Sequence, residues 1–187
     1  FGKINRIEFS ENGEYFLTFS SEDKQVKIWS FSGQDTLINF SIKNTPHFAI
    51  FYDQNSVLIG DKNGTIYHKN FFSPEKDSIF YENSIISYDA RYHKKKNELV
   101  ITDYNSIKII NLKDGKKTDF EIENTYSSRF VKTSYYSPEI LMTWSQNGIV
   151  SFWDLNEKKM IRELRAKNNF HELSINQYSK VLLTGYY

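Results

Sequence analysis

Short runs of alternating apolar and polar residues recur along the whole chain at a nearly constant spacing. Alternation with a period of two is the signature of a half-buried β-strand, so each run predicts a strand. Five runs of one character start 41 or 42 residues apart: YFLTFS from Tyr15, SVLIGD from Ser56, ELVITD from Glu98, EILMTW from Glu139 and KVLLTG from Lys180. This spacing indicates an internal structural repeat of about 40–45 residues.

Each of these runs belongs to a larger repeating unit. A shorter alternating run and a turn precede it, and a third run with clean alternation follows the first four copies. The third runs are VKIWSF from Val26, TIYHKN from Thr65, IKIINL from Ile107 and VSFWDL from Val150. A more polar fourth run closes each unit, as suits an outer edge strand whose charges discourage pairing with other chains. The unit therefore predicts four antiparallel strands joined by hairpins, present four times with a fifth copy begun.

Two segments carry a resemblance to a known family. They are FSENGEYFLTFSSEDKQVKIWSF (residues 9–31) and TWSQNGIVSFWDL (residues 143–155), and they resemble the WD40 repeats of β-propellers. In that family a turn Asp lies six residues before the Trp of the third strand. Asp23 and Trp29 match this spacing, and Asn147 and Trp153 match it with Asn in place of Asp. The resemblance implies that these four residues are structural motif residues of the repeat.

The other two complete units depart from the family pattern. Lys69 and Ile110 occupy the position of the Trp, and the Gly-His dipeptide that precedes the first strand in the family is absent throughout. We therefore expect the family's Asp-His-Ser/Thr-Trp hydrogen-bond network to be incomplete in every blade.

The resemblance implies an all-β fold of WD40 propeller type, with the whole chain, residues 1–187, in one partial propeller. About four and a half four-stranded blades are expected, at about residues 1–43, 44–83, 84–125, 126–168 and, incomplete, 169–187. Propellers close on themselves and so protect their strand edges. Because WD40 rings most often have seven blades, we expect the chain to be part of a larger ring, and a four- or five-bladed ring stays open as an alternative.

Composition and charge limit the kinds of partner. The 187 residues carry a formal net charge of +1, which provides no long-range field to attract nucleic acid or an anionic membrane. Cysteine is absent, so disulfides and Cys-ligated metal sites are excluded. No apolar run reaches the roughly 18 residues that span a bilayer. We expect an intracellular, cytoplasmic location, although a targeting signal ahead of Phe1 stays open.

Candidate chemistry is sparse. The histidines lie at different positions within the repeats, so a shared metal or general-base site is not expected. Carboxylates near strand ends are interpreted as turn caps rather than as a catalytic pair. The histidines are His47, His68, His93 and His171, and the carboxylates are Asp23, Asp61, Asp103 and Asp154. We expect no enzymatic activity, no metal, no cofactor and no small-molecule substrate.

Aromatic residues provide the functional signal. Tyr104, Trp144 and Tyr187 fall at or beside the turn between the second and third strands of their units. The resemblance implies that this turn lies on the narrower face of a propeller, where partners often dock. Tyr and Trp are enriched in interface hot spots, so these three are candidate partner-binding residues. The alternative is that they pack between blades.

The leading hypothesis is a non-catalytic protein–protein interaction scaffold within a multiprotein complex, with other proteins as partners and without nucleic acid or membrane insertion. One alternative is a WD40 targeting module of a larger enzyme. Another is an RNA- or phosphoinositide-binding propeller that uses the basic run HKKK (residues 93–96).

Overall fold

The structure is a computed structural model that describes residues 2–33, 36–81, 89–103, 106–121, 130–145, 148–166, 172–176 and 181–185. Over these ranges the chain is almost entirely β-structure, and its one helical element is the single 3₁₀ turn Pro74–Lys76. An apolar helix of membrane-spanning length does not occur in the part of the chain described.

The strands form four four-stranded sheets and one hairpin. The first sheet contains β1 (Arg6–Phe9), β2 (Tyr15–Ser20), β3 (Gln25–Ser30) and β4 (Thr36–Ser41). The second contains β5 (Pro46–Phe51), β6 (Ser56–Asp61), β7 (Ile66–Asn70) and β8 (Ser78–Tyr81). The third contains β9 (Asp89–His93), β10 (Glu98–Thr102), β11 (Ser106–Asn111) and β12 (Lys117–Glu121). The fourth contains β13 (Phe130–Ser137), β14 (Ile140–Ser145), β15 (Ile149–Asp154) and β16 (Lys159–Arg165). The hairpin pairs β17 (Glu172–Asn176) with β18 (Val181–Gly185).

Every sheet is an antiparallel meander in which each strand pairs with its neighbour in sequence. This order follows from the short polar turns between alternating runs, because a tight turn can join only antiparallel neighbours. The predicted all-β class and the four-stranded unit are therefore confirmed. The closed ring and its number of blades stay predictions.

The strands group into two compact units, Phe1–Ser87 and Tyr88–Tyr187. In the first unit, one apolar face of the first sheet packs against the second sheet. Leu17 and Ile28 come from the first sheet and Val57 and Ile59 from the second, and all four side chains are completely buried. Alternation places these residues on one face of each strand, so the core lies between the two sheets.

In the second unit, the third and fourth sheets pack in the same manner. Val100 and Ile107 of the third sheet share an apolar cluster with Leu141 and Trp153 of the fourth.

A buried carboxylate also joins the third and fourth sheets. The amide of Thr133 on β13 donates a 2.8 Å hydrogen bond to Oδ2 of Asp89 on β9. The guanidinium of Arg91 lies 3.2 Å from the other carboxylate oxygen. Asp89 is 2% exposed, so these donors compensate a charge that would otherwise be costly to bury. Strand β9 is thereby held against β13.

Two leucines of the first sheet test the packing of the first unit. Leu17 is fully buried against the second sheet, whereas Leu37 on β4 is 40% exposed. Replacing Leu17 with Ala should lower the free energy of unfolding by about 2–4 kcal/mol, because a cavity forms between the sheets. The matched change Leu37→Ala should cost less than about 0.5 kcal/mol. Urea unfolding followed by circular dichroism measures both, and equal losses would contradict the packing described.

Candidate functional site

The turn between the second and third strands of each sheet is the candidate region. It spans residues 21–24, 62–65, 103–105 and 146–148 in the four sheets. Tyr104, Asn147 and Tyr187 lie outside the described residues, so Tyr104 and Tyr187 stay predictions as partner contacts. The described turn residues Glu22, Asp23 and Lys24 are exposed.

Trp144 is the one predicted partner-binding residue that falls within the described ranges. It lies on β14, is only 4% exposed and packs with Met142, Val150 and Phe152 of its own sheet. Its indole Nε1 is buried, and none of the described residues accepts a hydrogen bond from it. This placement agrees with the packing interpretation of Trp144.

The two motif tryptophans make the same hydrogen bond in two different sheets. Nε1 of Trp29 on β3 donates to Oγ1 of Thr18 on β2 at 2.9 Å. Nε1 of Trp153 on β15 donates to Oγ1 of Thr143 on β14 at 2.8 Å. Each bond links the third strand of a sheet to the second, so it fixes the indole against the sheet surface.

The other two sheets replace both members of this pair. Lys69 occupies the Trp position of the second sheet and reaches Asp77 Oδ2 at 2.9 Å instead. Ile110 occupies it in the third sheet and is completely buried. The residues that correspond to the threonines are then Ile59 and Ile101, both buried. Threonine is thus present where the indole needs an acceptor, and isoleucine is present where it does not.

Sequence reasoning singled out the tryptophans and missed Thr18 and Thr143. The available signal was positional, since each threonine lies in the second strand, 11 or 10 residues before its Trp. That distance spans a turn of variable length, so it points to a partner only after the strand register is known.

Asp23, the turn residue that matches the WD40 spacing, accepts hydrogen bonds from nearby residues. Its Oδ2 accepts a 3.2 Å hydrogen bond from the amide of Gly2. Desolvation raises the pKa of the Asp23 carboxyl, but hydrogen bonds from the amides of Gly2 and Gln25 and from Ser20, together with the charge of Lys27, outweigh it. The net effect lowers the pKa, so Asp23 is an anion at neutral pH.

Asp61 begins the corresponding turn of the second sheet and is completely buried. Its Oδ1 accepts bonds from the amides of Asn63 and Thr65 at 2.9 and 3.0 Å. Its Oδ2 accepts from Asn44 Nδ2 at 2.8 Å and from the Tyr67 hydroxyl at 3.1 Å. Four donors occupy the carboxylate, which confirms the predicted turn-capping role of Asp61.

Asp154, a second carboxylate interpreted as a turn cap, also binds backbone amides of the turn that follows it. Its Oδ1 accepts hydrogen bonds from the amides of Asn156 and Glu157, both at 2.9 Å. The turn that follows β15 is therefore closed by the side chain that precedes it, which confirms the capping role.

The basic run at residues 93–96 contains an ion pair. Lys96 Nζ lies against Oε2 of Glu139, which connects the turn after β9 to the turn before β14. A hydrogen bond from Lys96 lowers the pKa of Glu139. At least one charge of the run is therefore compensated within the chain.

The described histidines lie apart from one another. His68 stacks on Phe80 with ring centroids 5.3 Å apart, and His93 makes an edge contact with Tyr135 at 5.2 Å. Within the described ranges, no group of three His, Asp or Glu side chains is arranged to hold a metal ion. His171 lies outside those ranges.

Comparison with known proteins finds no family model and no curated protein that matches this chain.

The threonine–tryptophan bond of the fourth sheet is testable by a double-mutant cycle. Thr143→Val keeps the side-chain shape but removes the acceptor, leaving the buried indole N–H unpaired. We expect a loss of about 1–2 kcal/mol in the free energy of unfolding. In a Trp153→Phe background the same change should cost about 1 kcal/mol less. Thr18→Val should cost less than Thr143→Val, because water can reach the half-buried Trp29. Equal costs of Thr143→Val in both backgrounds would rule out the bond.

The lowered pKa of Asp23 predicts a pH dependence of stability. A depressed carboxyl pKa stabilises the folded state above the unfolded-state value, near 3.8, and this contribution is lost as pH falls through the folded-state pKa. Wild type should therefore unfold at a higher temperature than Asp23→Asn at pH 6, and the difference should disappear toward pH 2. Thermal unfolding measured across this range tests it. A constant difference at all pH values would contradict the assignment.

Proposed function

We propose that this chain forms about four and a half blades of a larger, seven-bladed propeller of WD40 type, and that it serves as a non-catalytic protein–protein interaction scaffold within a multiprotein complex. The observation that carries the proposal is the Trp–Thr hydrogen bond, which recurs at the same register position in the first and fourth sheets. It joins the two residue types that end the WD40 network, so it supports the resemblance at the level of bonds.

The packing of the units supports a rigid scaffold. Apolar residues fill the space between sheets, and the buried carboxylates Asp61 and Asp89 are hydrogen-bonded. Because each sheet is held in this way, the turns at the sheet ends can change sequence without disturbing the core. A rigid core with variable turns is the general arrangement by which scaffolds present binding residues.

The chemistry of the described carboxylates also favours a scaffold. Proton transfer needs an acid or base with a free position toward a substrate. Asp61 has four donors, and Asp154 caps a turn with Oδ1. Both carboxylates have a structural role, which supports the proposed scaffold.

Capture of partner proteins by the Tyr104 turn tests the proposal. The immobilised chain should retain a small, saturable set of proteins, measured by quantitative mass spectrometry. Tyr104→Ala should abolish this retention and leave the midpoint of thermal unfolding unchanged. The matched control is Ile79→Ser, which changes a 49% exposed residue on an outer strand and should retain the same set. Retention unaffected by Tyr104→Ala would remove this turn from the proposal.

A further inference from the structure

The outer strand of the fourth sheet, β16, presents a long and exposed edge. It lies at the end of the sheet order and pairs with β15 alone. It has seven residues, whereas the other outer strands β4, β8 and β12 have six, four and five. Its first four residues are exposed, and Met160 and Ile161 are each 47% exposed. Such an edge is a template on which another strand can pair.

Charge distinguishes β16 from the other three outer strands. It contains three basic residues, Lys159, Arg162 and Arg165, and one acidic residue, Glu163. The segments TLINFS of β4 and SIFY of β8 contain no charged residue, and KTDFE of β12 contains one base and two acids. The excess of basic charge is therefore a property of this edge and not of the repeat.

Part of this basic charge is compensated within the sheet. Nε of Arg165 donates a 2.7 Å hydrogen bond to Oε1 of Glu163, and Nζ of Lys159 lies 3.4 Å from Oε2 of Glu157. Arg162 is exposed and forms no ion pair with any of the described residues. Because a planar guanidinium binds a carboxylate through two parallel hydrogen bonds, Arg162 is the position on this edge that most favours an acidic partner.

Lys159 and Arg162 lie on the same face of the sheet. They are opposite Asp154 and Phe152 of β15, which are two positions apart and so share a face. The β-bulge at Ile161 makes this arrangement possible, because Lys159 and Arg162 are three positions apart along β16. The bulge thus places two basic side chains in one row.

Met160 lies on the opposite face, across from Trp153. A strand that paired with β16 would therefore meet basic side chains on one face and an exposed apolar side chain on the other. Since side chains alternate between faces along a strand, a matching strand alternates acidic and apolar residues.

The backbone groups of β16 alternate between β15 and the open edge. The amide of Ala166, which follows the strand, donates a 2.8 Å hydrogen bond to the carbonyl oxygen of Gly148. In an antiparallel pair every second residue bonds to the neighbouring strand, so the N–H and C=O groups of Leu164 point toward β15. Those of Glu163 and Arg165 then point outward, where an added strand can bind them.

The basic charge also selects between occupants. Like charges across a strand pair are destabilising, so the charges of β16 disfavour pairing with a second copy of itself. The same charges attract an acidic strand, so the feature that discourages self-pairing provides selectivity for a partner.

We propose that β16 binds an extended acidic segment of a partner protein, which adds to the open edge as a fifth strand. Its acidic side chains lie against Lys159 and Arg162, and an apolar side chain lies against Met160. This inference rests on the proposed scaffold function, because it names the chemistry of one class of partner, but it uses a surface other than the Tyr104 turn.

A defined peptide tests the proposal. The probe is a fluorescein-labelled peptide of alternating Glu and Val with the length of β16. Fluorescence anisotropy should show saturable binding to the chain, and added salt should weaken it. A peptide with Lys in place of Glu should not bind.

A charge reversal on β16 tests the role of Arg162. Arg162→Glu should weaken binding of the Glu-Val peptide about tenfold or more, because it removes a charge-assisted hydrogen bond and adds repulsion. The matched control is Lys43→Glu, which makes the same charge reversal at an exposed residue just after β4 and should leave binding unchanged. Both variants should unfold at the same temperature as the wild type, measured by circular dichroism.

N-methylation of the peptide separates strand addition from charge attraction alone. One peptide is methylated on the amides of its Val residues and the other on those of its Glu residues, so both keep the charge and the sequence. One of the two sets faces β16, and its methylation should abolish binding. The other set faces solvent, and its methylation should leave binding unchanged.

Four results would overturn the proposal. They are no binding of the Glu-Val peptide, binding that Arg162→Glu leaves unchanged, equal binding of the two methylated peptides, and tighter binding of a single-stranded polyuridylate that Arg162→Glu abolishes. The last result would make the edge a nucleic-acid site. Tyr104→Ala should leave peptide binding unchanged, so a failure of the Tyr104 turn and a failure of this edge are distinguished.

Discussion

Face-to-face packing of one sheet on the next is the contact on which the rest of each unit depends. An antiparallel sheet whose apolar face stays open to water lacks the stabilisation that burial of that face provides. Leu17 and Ile28 become completely buried because Val57 and Ile59 of the following sheet cover them. Each complete repeat therefore supplies one four-stranded sheet that packs on its neighbour, which accounts for the regular spacing of the repeats in the sequence.

This packing decides where polar groups can lie. An unpaired polar atom between sheets is costly, which explains why Thr143 accompanies Trp153 and why Asp89 binds the amide of Thr133. Where the indole is replaced by Ile110, the threonine is replaced as well. Outside the core this restriction ends, and among the described turns the position six residues before the Trp site holds Asp23 in the first sheet and Asn63 in the second.

The contrast between buried sheet faces and exposed turns also bears on the proposed scaffold function. Variation at the turns changes the groups that a partner meets, whereas the sheet faces must keep their shape. The face of the first sheet around Trp29 differs from the rest of the surface. Phe16 stacks on Trp29 there, and the large apolar side chains of Phe9 and Phe31 are more than half exposed. At the equivalent positions around Trp153, Leu141 and Leu155 are buried, because the third sheet packs on them.

The sequence by itself determined the strands, their hairpin order and the four-stranded repeat, because alternation and turn residues act locally. The resemblance to WD40 repeats also singled out Trp29 and Trp153. Only the tertiary structure decided that Trp144 is buried, that Thr18 and Thr143 accept the indole bonds, and that Phe9 is exposed while Tyr135 is partly buried against the apolar cluster of the second unit. Burial and cross-strand bonding depend on residues that are distant in the chain, so equivalent sequence positions acquire different environments from their neighbours in space.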